Sequence, residues 1–498
     1  MSDTITSIGL DVAASSVVAS GEVTWGLARL ADGPRLVVLA PRGAGFLSRL
    51  EGQASEREGA TLLVGPTSSR NAAALRERLP WLVPGLLGTS TSVGLGDRLG
   101  LATPGHVRAV RSAGGGLRPV FAQQSIREME RTGRTPQRVM DDAMWGAFAE
   151  GWRHAFGADA DHLKEPGDID RTLVAGFTMF TIEPGAHVDA SAETAPPAEL
   201  GRAMESLPWA DLEDSQGAFR RRYLGRNFDC DGTKVTFDEE ILARAAVKYA
   251  RAVAHVARMY RHLEAASGRP FEVEVSVDET DQPTSHAEHF YVAKELGRLG
   301  VRWTGLAPRF VGRFEKGVDY IGDLGEFERH FAGHAAIARA LGPYKISLHS
   351  GSDKFSVYPI AAEHARGLVH LKTAGTSYLE ALRTVAGIDP PLFRDLYAFA
   401  RERYERDRAS YHVSAQVDRA PEPSAVSDAD LVGILDDFHA RQALHVTFGS
   451  VLTETGGAGG RPLGARLLAL LARHPEAYAS NLERHFARHL APFARTRS

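Results

Sequence analysis

Short β-like runs alternate with longer helical stretches over most of this chain, and that alternation limits the available folds more than any other feature. The runs lie at 119–123, 161–164, 176–183, 271–279, 301–306, 344–349, 368–373 and 444–449. Most are brief apolar stretches bounded by turn-forming residues, which read as strands. A helix between two strands carries the chain back across the sheet, so consecutive strands run parallel. Eight such strands predict an α/β protein built on a (β/α)8 TIM-like barrel, with a doubly wound sheet as the alternative.

The flanks read differently. Residues 1–110 are expected to form a small α/β N-terminal unit, with strands at RLVVL (35–39) and TLLV (61–64), a helix at 71–79 and a glycine-rich loop at 94–106. The barrel is expected over 111–460, with a long insertion at 184–270 after the third strand. Residues 461–498 read as a helical C-terminal tail. Within the insertion, Ile241, Leu242, Ala245, Tyr249, Val253, Val256, Tyr260 and Leu263 recur at three- and four-residue steps, which predicts one long amphipathic helix. The stretch before it, 192–232, is rich in Pro, Gly and charge and reads as a lid, with an interface as the alternative role of the insertion.

Composition excludes several function classes. Lys and Arg number 58 against 62 Asp and Glu, a formal net charge of −4, so no basic surplus points to nucleic acid. No apolar run approaches the roughly 18 residues of a membrane span. The N-terminus carries Asp3 and Asp11 and no Lys or Arg ahead of its mildly apolar run, which makes a poor secretory signal. The single cysteine, Cys230, forbids an intrachain disulfide and fits a reducing compartment. The expectation is a cytoplasmic protein with no nucleic-acid or membrane partner, and a homo-oligomer stays open. No GxGxxG follows a predicted strand, GGAGG (456–460) lacks the strand–helix frame, and there is no P-loop or GxSxG elbow. No nicotinamide cofactor is expected.

Alternation within the strands locates candidate chemistry. In a barrel the outward face meets helices and is apolar, whereas the inward face turns polar near the C-terminal mouth. In EVEVSVDE (272–279), Val273, Val275 and Val277 form the outward set and Glu274, Ser276 and Asp278 the inward one. The same rule sends Lys345 and His349 inward from KISLHS, His370 and Lys372 from LVHLKT, and His445 from LHVTFG. Buried ionisable groups are costly unless paired or ligated. Imidazoles and a carboxylate meeting at one mouth suit a divalent ion such as Zn, Mn, Co or Ni. Asp278, His349 and His370 are the expected metal ligands, with His445 close behind. HSGSD (349–353) and RFVGRFEKG (309–317) supply small residues and cations suited to an anionic oxygen, the latter through Arg309, Arg313 and Lys316. PTSHAEH (283–289) reads as a capped helix start, so His286 and His289 are discounted as ligands.

Several long stretches resemble the tagaturonate epimerase family of bacterial hexuronate catabolism. They are GDRLGLATPGH (96–106), FAQQSIREM (121–129), FTMFTIEP (177–184), VDET with PT two residues on (277–284), LAPRFVGRFEKGVDYIGDL (306–324), ISLHSGSDKFSVYPI (346–360), HLKTAGTSYLEALR (370–383) and LHVTFGSVLT (444–453). The resemblance implies a ketohexuronate substrate, interconversion of D-tagaturonate and D-fructuronate, and a divalent metal. These ketouronates differ at a hydroxyl-bearing carbon β to the ketone, where the carbonyl does not acidify the hydrogen. Two routes remain, retro-aldol cleavage with rotation of the aldehyde and re-addition, or transient oxidation at that carbon, and the lack of a dinucleotide fingerprint favours the first. The retro-aldol route needs an electrophile and an acid–base pair. Glu183 is the preferred acid–base, with Lys372 and His445 as further catalytic candidates. Lys372 or Lys345 is the alternative as a Schiff-base amine. Arg98, Arg309, Arg313 or Lys354 is expected to hold the substrate carboxylate, and Gln123, Lys164, Ser350 and Asp353 complete the substrate-binding set. A class II aldolase-like lyase and a non-catalytic sugar-acid binding protein are the competing readings.

Overall fold

The central strands of the N-terminal sheet are buried on both faces, which explains their continuous apolar runs. In the computed structural model, which describes residues 9–30, 33–57, 59–454 and 461–494 (backbone only at 410), five antiparallel strands form this sheet. They are β1 (Val18–Ser20), β2 (Val23–Leu30), β3 (Gly33–Pro41), β4 (Gln53–Arg57) and β5 (Ala60–Pro66), in the order β1-β2-β3-β5-β4. Successive side chains point to opposite faces. Leu36 and Val38 join Trp25, Leu27 and Leu63 in one core, while Val37 and Leu39 join Ala28 and Leu62 in another. The first core is closed by Ala72 and Leu75 of helix Ser69–Arg78 and by Trp145 and Phe148 of helix Pro136–Ala149, so the sheet is seated on the side of the barrel.

The barrel strands are β6 (Ser92–Gly94), β7 (Arg118–Ser125), β8 (Gly157–Leu163), β9 (Met179–Ile182), β12 (Glu272–Val277), β13 (Gly305–Pro308), β14 (Lys345–Leu348) and β15 (Val369–Lys372). A small hairpin, β10 (Asn227–Cys230) and β11 (Thr233–Thr236), lies between the two halves. All eight pair in parallel, and β15 closes on β6 with His370 opposite Ser92 and Lys372 opposite Gly94. The expected (β/α)8 architecture is therefore present, with two corrections. The run 444–449 is not a strand. It spans the end of helix Phe438–Val446 and the start of helix Phe448–Thr453. Asp437 caps the first of these by accepting the Ala440 N–H at 2.8 Å, and Leu444 near its end and Phe448 at the start of the next helix are both buried. The β-branched Val446 and Thr447 mimic strand alternation there. The missing strand is β6, only three residues long and set among glycines, so the barrel begins inside the stretch assigned to the N-terminal unit.

The segment 184–270 is also more ordinary than expected. Its last third is helix Glu239–Ala266, the crossover helix that any parallel β9-to-β12 connection requires. Asp238 caps it, and Leu242, Ala245, Tyr249, Val253, Val256, Tyr260 and Leu263 form its buried face; Ile241 stays exposed. The preceding residues pack outside the barrel helices, and none of 184–270 lines the central cavity, so no lid is present among the described residues. The C-terminal tail is helical as expected, with helices Leu463–Arg473 and Pro475–Leu490. The latter lies against helix Thr103–Ala113, where Gly105 allows the approach: a Cβ there would stand 2.5 Å from Leu482 Cβ. GGAGG lies outside the described residues.

Between helices His286–Arg298 and Leu324–Leu341 sits a chain of imidazoles. His289 bonds the Tyr344 hydroxyl (2.9 Å) and the ring of His334 (2.8 Å), and the His330 ring meets the Thr284 carbonyl at 3.1 Å. His286, which starts the capped helix, bonds the His330 carbonyl at 2.9 Å. Burial, then the neighbouring imidazoles, pushes His289 down to about 3, His330 to about 4 and His334 well down. These groups fold in the neutral form, whereas the unfolded chain binds protons below about pH 6.5. Stability is thus fully present above that pH and is lost as pH falls towards the folded values. By pH 5 His289 alone should cost about 2 kcal/mol. Denaturant midpoints at pH 7 and pH 5 check this, and the fall should be smaller in His289→Leu.

Candidate active site

Lys372 is the centre of the barrel interior. Its fully buried ammonium lies 2.9 Å from Asp159, 2.7 Å from Asp161 and 2.8 Å from Glu274, and it donates to Thr181 Oγ1 at 2.7 Å. Burial opposes its charge, but the three carboxylates outweigh that and hold Lys372 well above the usual lysine range. One layer lower, the Ser92 hydroxyl joins Lys345 Nζ (3.1 Å) to His370 Nδ1 (2.8 Å). Burial pushes His370 down to about 3, and its Nε2 has no hydrogen-bond partner.

Above Lys372 two imidazoles face each other, with ring centroids 5.3 Å apart. His349 Nε2 lies 2.6 Å from Glu274, and its Nδ1 lies 3.2 Å from Asp278. His162 repeats the arrangement: Nε2 lies 3.4 Å from Glu279, and Nδ1 lies 2.9 Å from Asp161 without making a hydrogen bond. Each ring is therefore backed by a carboxylate on one nitrogen and turns the other towards Asp161 or Asp278, the arrangement by which outer carboxylates orient metal-binding imidazoles. Donor atoms of Asp161, His162 and His349 lie within 4.8 Å of one another. Burial would lower His349, yet Asp278 and Glu274 raise it to about 9. Burial would raise Asp278, yet His349 and His162 hold it low. The pocket thus favours positive charge at this point, carried either as protons on the rings or by a divalent ion that displaces them. The donor set fits such an ion.

This cluster floors a cavity of about 400 Å³ at the C-terminal mouth of the barrel. Of the sequence-predicted residues, Asp278, His349, Lys372, Arg98, Gln123, Arg309, Arg313, Lys316 and Ser350 line it. The others lie elsewhere. His370 lies in the layer below the facing imidazoles. Glu183 is buried at the end of β9, accepts the Gly185 N–H at 2.5 Å and pairs with Lys164 at 2.8 Å, so both residues hold a turn outside the cavity lining. His445 comes from a helix and reaches the Arg98 guanidinium at 3.4 Å. Asp353 is paired with Arg441 (2.9 Å) and His485 (2.6 Å) beneath the C-terminal helix. Lys354 donates to the carbonyls of Glu315, Val318 and Ser352 at 2.6–2.9 Å.

A family model described as tagaturonate epimerase matches residues 14–493. The chain belongs to the tagaturonate epimerase family. It is 43% identical over 487 residues to the tagaturonate/fructuronate epimerase of Thermotoga maritima, covering 97% of this chain and 96% of that one. The native crystal structure of the fructuronate-tagaturonate epimerase from Cohnella laeviribosi superposes with a TM-score of 0.91 at 36% identity, over 99% of this chain and 98% of that one. A glycerol complex of the same enzyme gives 0.92 at 35% identity, with the same coverage.

In this tagaturonate epimerase family member, the stretches that carry the sequence resemblance gather at the mouth. Residues 96–106 form the loop after β6 and the start of the next helix, 277–284 and 306–324 follow β12 and β13, and 346–360 follow from β14. The sequence reading missed Asp161, His162 and Glu279 as site residues. Asp161 was legible: beginning the strand at Gly157 sets Ala158 and Ala160 outward and Asp159 and Asp161 inward. His162 was not. Simple alternation turns it outward, but a register shift between Ala160 and Leu163 and a left-handed backbone (φ 55°) re-aim it.

Lys372→Met leaves three buried carboxylates without their cation. It should cost about 3 kcal/mol or more of stability in denaturant titration. Because the native amine is held protonated, borohydride added with substrate should trap no adduct on Lys372.

Proposed function

We propose that this chain interconverts D-tagaturonate and D-fructuronate at a divalent metal held by Asp161, His162, Asp278 and His349. The observation that carries the metal reading is the pair of carboxylate-backed imidazoles converging on Asp161 and Asp278 at the cavity floor. The chain's family membership supports the substrate pair. A bound ion would supply stabilisation for negative charge developing on the substrate's oxygens.

The protein's own groups handle the proton and the orientation. Glu279 lines the cavity and is part-exposed, with 34% of its side-chain surface accessible. Burial alone would raise it, but His162 and Arg127 hold it down to about 2, so it is a carboxylate at neutral pH. In this reading Glu279 takes the proton of the hydroxyl on the carbon β to the ketone. The bond between the α and β carbons breaks, its electrons pass to the ketone as an enediolate, and the β carbon becomes an aldehyde. The aldehyde turns over, the enediolate re-adds to its other face, and Glu279 returns the proton. Lys372 holds Asp161 and Glu274 fixed throughout, so the carboxylates do not reorganise as charge develops. The buried Cys230, a free thiol, supports placing this chemistry in the cytoplasm.

The test is metal-stripped protein incubated with D-fructuronate, with and without added divalent ions, read by product NMR. Conversion to D-tagaturonate that requires the ion is expected. Accumulation of two smaller carbonyl compounds would favour a lyase, and saturable binding without conversion a binding protein. His349→Ala should lose bound metal and activity together, and Glu279→Gln should lower kcat about 100-fold or more, with a much smaller loss of metal than His349→Ala.

A further inference from the structure

Six cationic side chains line the cavity, and four are already matched with anions. Arg98 pairs with Glu128 at 2.5 Å, Arg127 with Glu279 at 3.4 Å, Arg313 with Glu315 at 3.4 Å, and Lys372 with its three carboxylates. Among the described residues, Lys316 and Arg309 form no ion pair, and both sit on the segment that follows β13. The Lys316 ammonium donates to the Ser350 hydroxyl at 2.7 Å, a neutral acceptor that leaves further N–H groups to satisfy. Burial and then the nearby Arg127 push its proton affinity down, which an incoming anion would relieve.

The structure around Lys316 is built to keep it there. Lys354 grips the carbonyls of Glu315 and Val318 on either side, and Arg441 Nε holds the Gly317 carbonyl at 2.5 Å. Gly317 takes a left-handed backbone (φ 76°), and a Cβ there would meet the His445 ring at 3.2 Å. A fixed ammonium with no carboxylate at ion-pair distance among the described residues, only the longer-range fields of Glu128 and Glu279 offsetting its burial, calls for an anionic group on the ligand.

We propose that Lys316, assisted by Arg309, binds the substrate carboxylate and is what makes this site prefer a sugar acid to a neutral ketose. The inference rests on the epimerase reading above for the identity of the substrate, and it adds the residue that selects it. Arg98 and Lys354, expected from sequence in this role, are occupied by Glu128 and by backbone carbonyls.

The test compares metal-loaded wild type, Lys316→Met and Lys316→Arg. The ligands are D-fructuronate and D-fructose, which has a hydroxymethyl group in place of the carboxylate. In Lys316→Met the ratio of kcat/KM for the uronate over that for the ketose should fall about 100-fold, mainly through KM, and calorimetry should show the same loss of uronate affinity. Lys316→Arg should recover much of the ratio. Equal losses for both sugars, or an unchanged uronate affinity, overturn the assignment. A wild type that binds D-fructuronate but converts none of it overturns the epimerase reading and leaves the anchor intact. One that does not bind the uronate overturns both.

Discussion

The ammonium of Lys372 is the interaction on which the rest of the molecule depends. From β15 it reaches Asp159 and Asp161 on β8, Thr181 on β9 and Glu274 on β12. Those carboxylates are inside the barrel, where an unpaired charge is costly, so strand closure and charge balance are one requirement. Glu274 then fixes His349, and Asp161 faces His162. The floor of the cavity inherits its geometry from a contact that also holds the barrel shut.

From that floor upward the sign of the charge changes. Asp161, Asp278 and Glu279 surround the imidazoles at the bottom, whereas Arg98, Arg127, Arg309, Arg313 and Lys316 line the wall above. In a confined site such opposed charges act at short range and are weakly screened. A ligand with hydroxyl and carbonyl groups at one end and a carboxylate at the other meets a complementary field in one orientation only. On the proposed reading, the cavity would set orientation before any chemistry begins.

Seven of the eight barrel strands overlap runs expected from the sequence, most of them apolar with regular alternation, although β8 begins four residues before the expected 161–164 and β13 four residues after the start of the expected 301–306. The inward set from β12, β14 and β15 followed from the same rule, and Asp278 and His349 do meet. What stayed hidden was local. β6 is too short to carry a pattern. Val446 and Thr447 imitate a strand where capping by Asp437 makes a helix. His162 owes its position to a backbone kink. Glu183 ends its strand as a cavity residue would, but the Gly185 amide and Lys164 claim its oxygens. Alternation tells which way a side chain leaves the backbone, and it is silent about which neighbour captures it.

The segment 349–354 ties these parts together. It carries His349 at one end and Lys354 at the other, with Ser350 and Asp353 in left-handed conformations between them. Lys354 seizes the loop that presents Lys316, while Asp353 is clamped by Arg441 and His485. On the proposed reading, the reacting end and the acidic end of the substrate are gripped by pieces fastened to one short stretch of backbone. On that same reading the stretch would work as a ruler: a sugar acid with one carbon more or fewer would satisfy either grip but not both, and chain length would be selected along with charge.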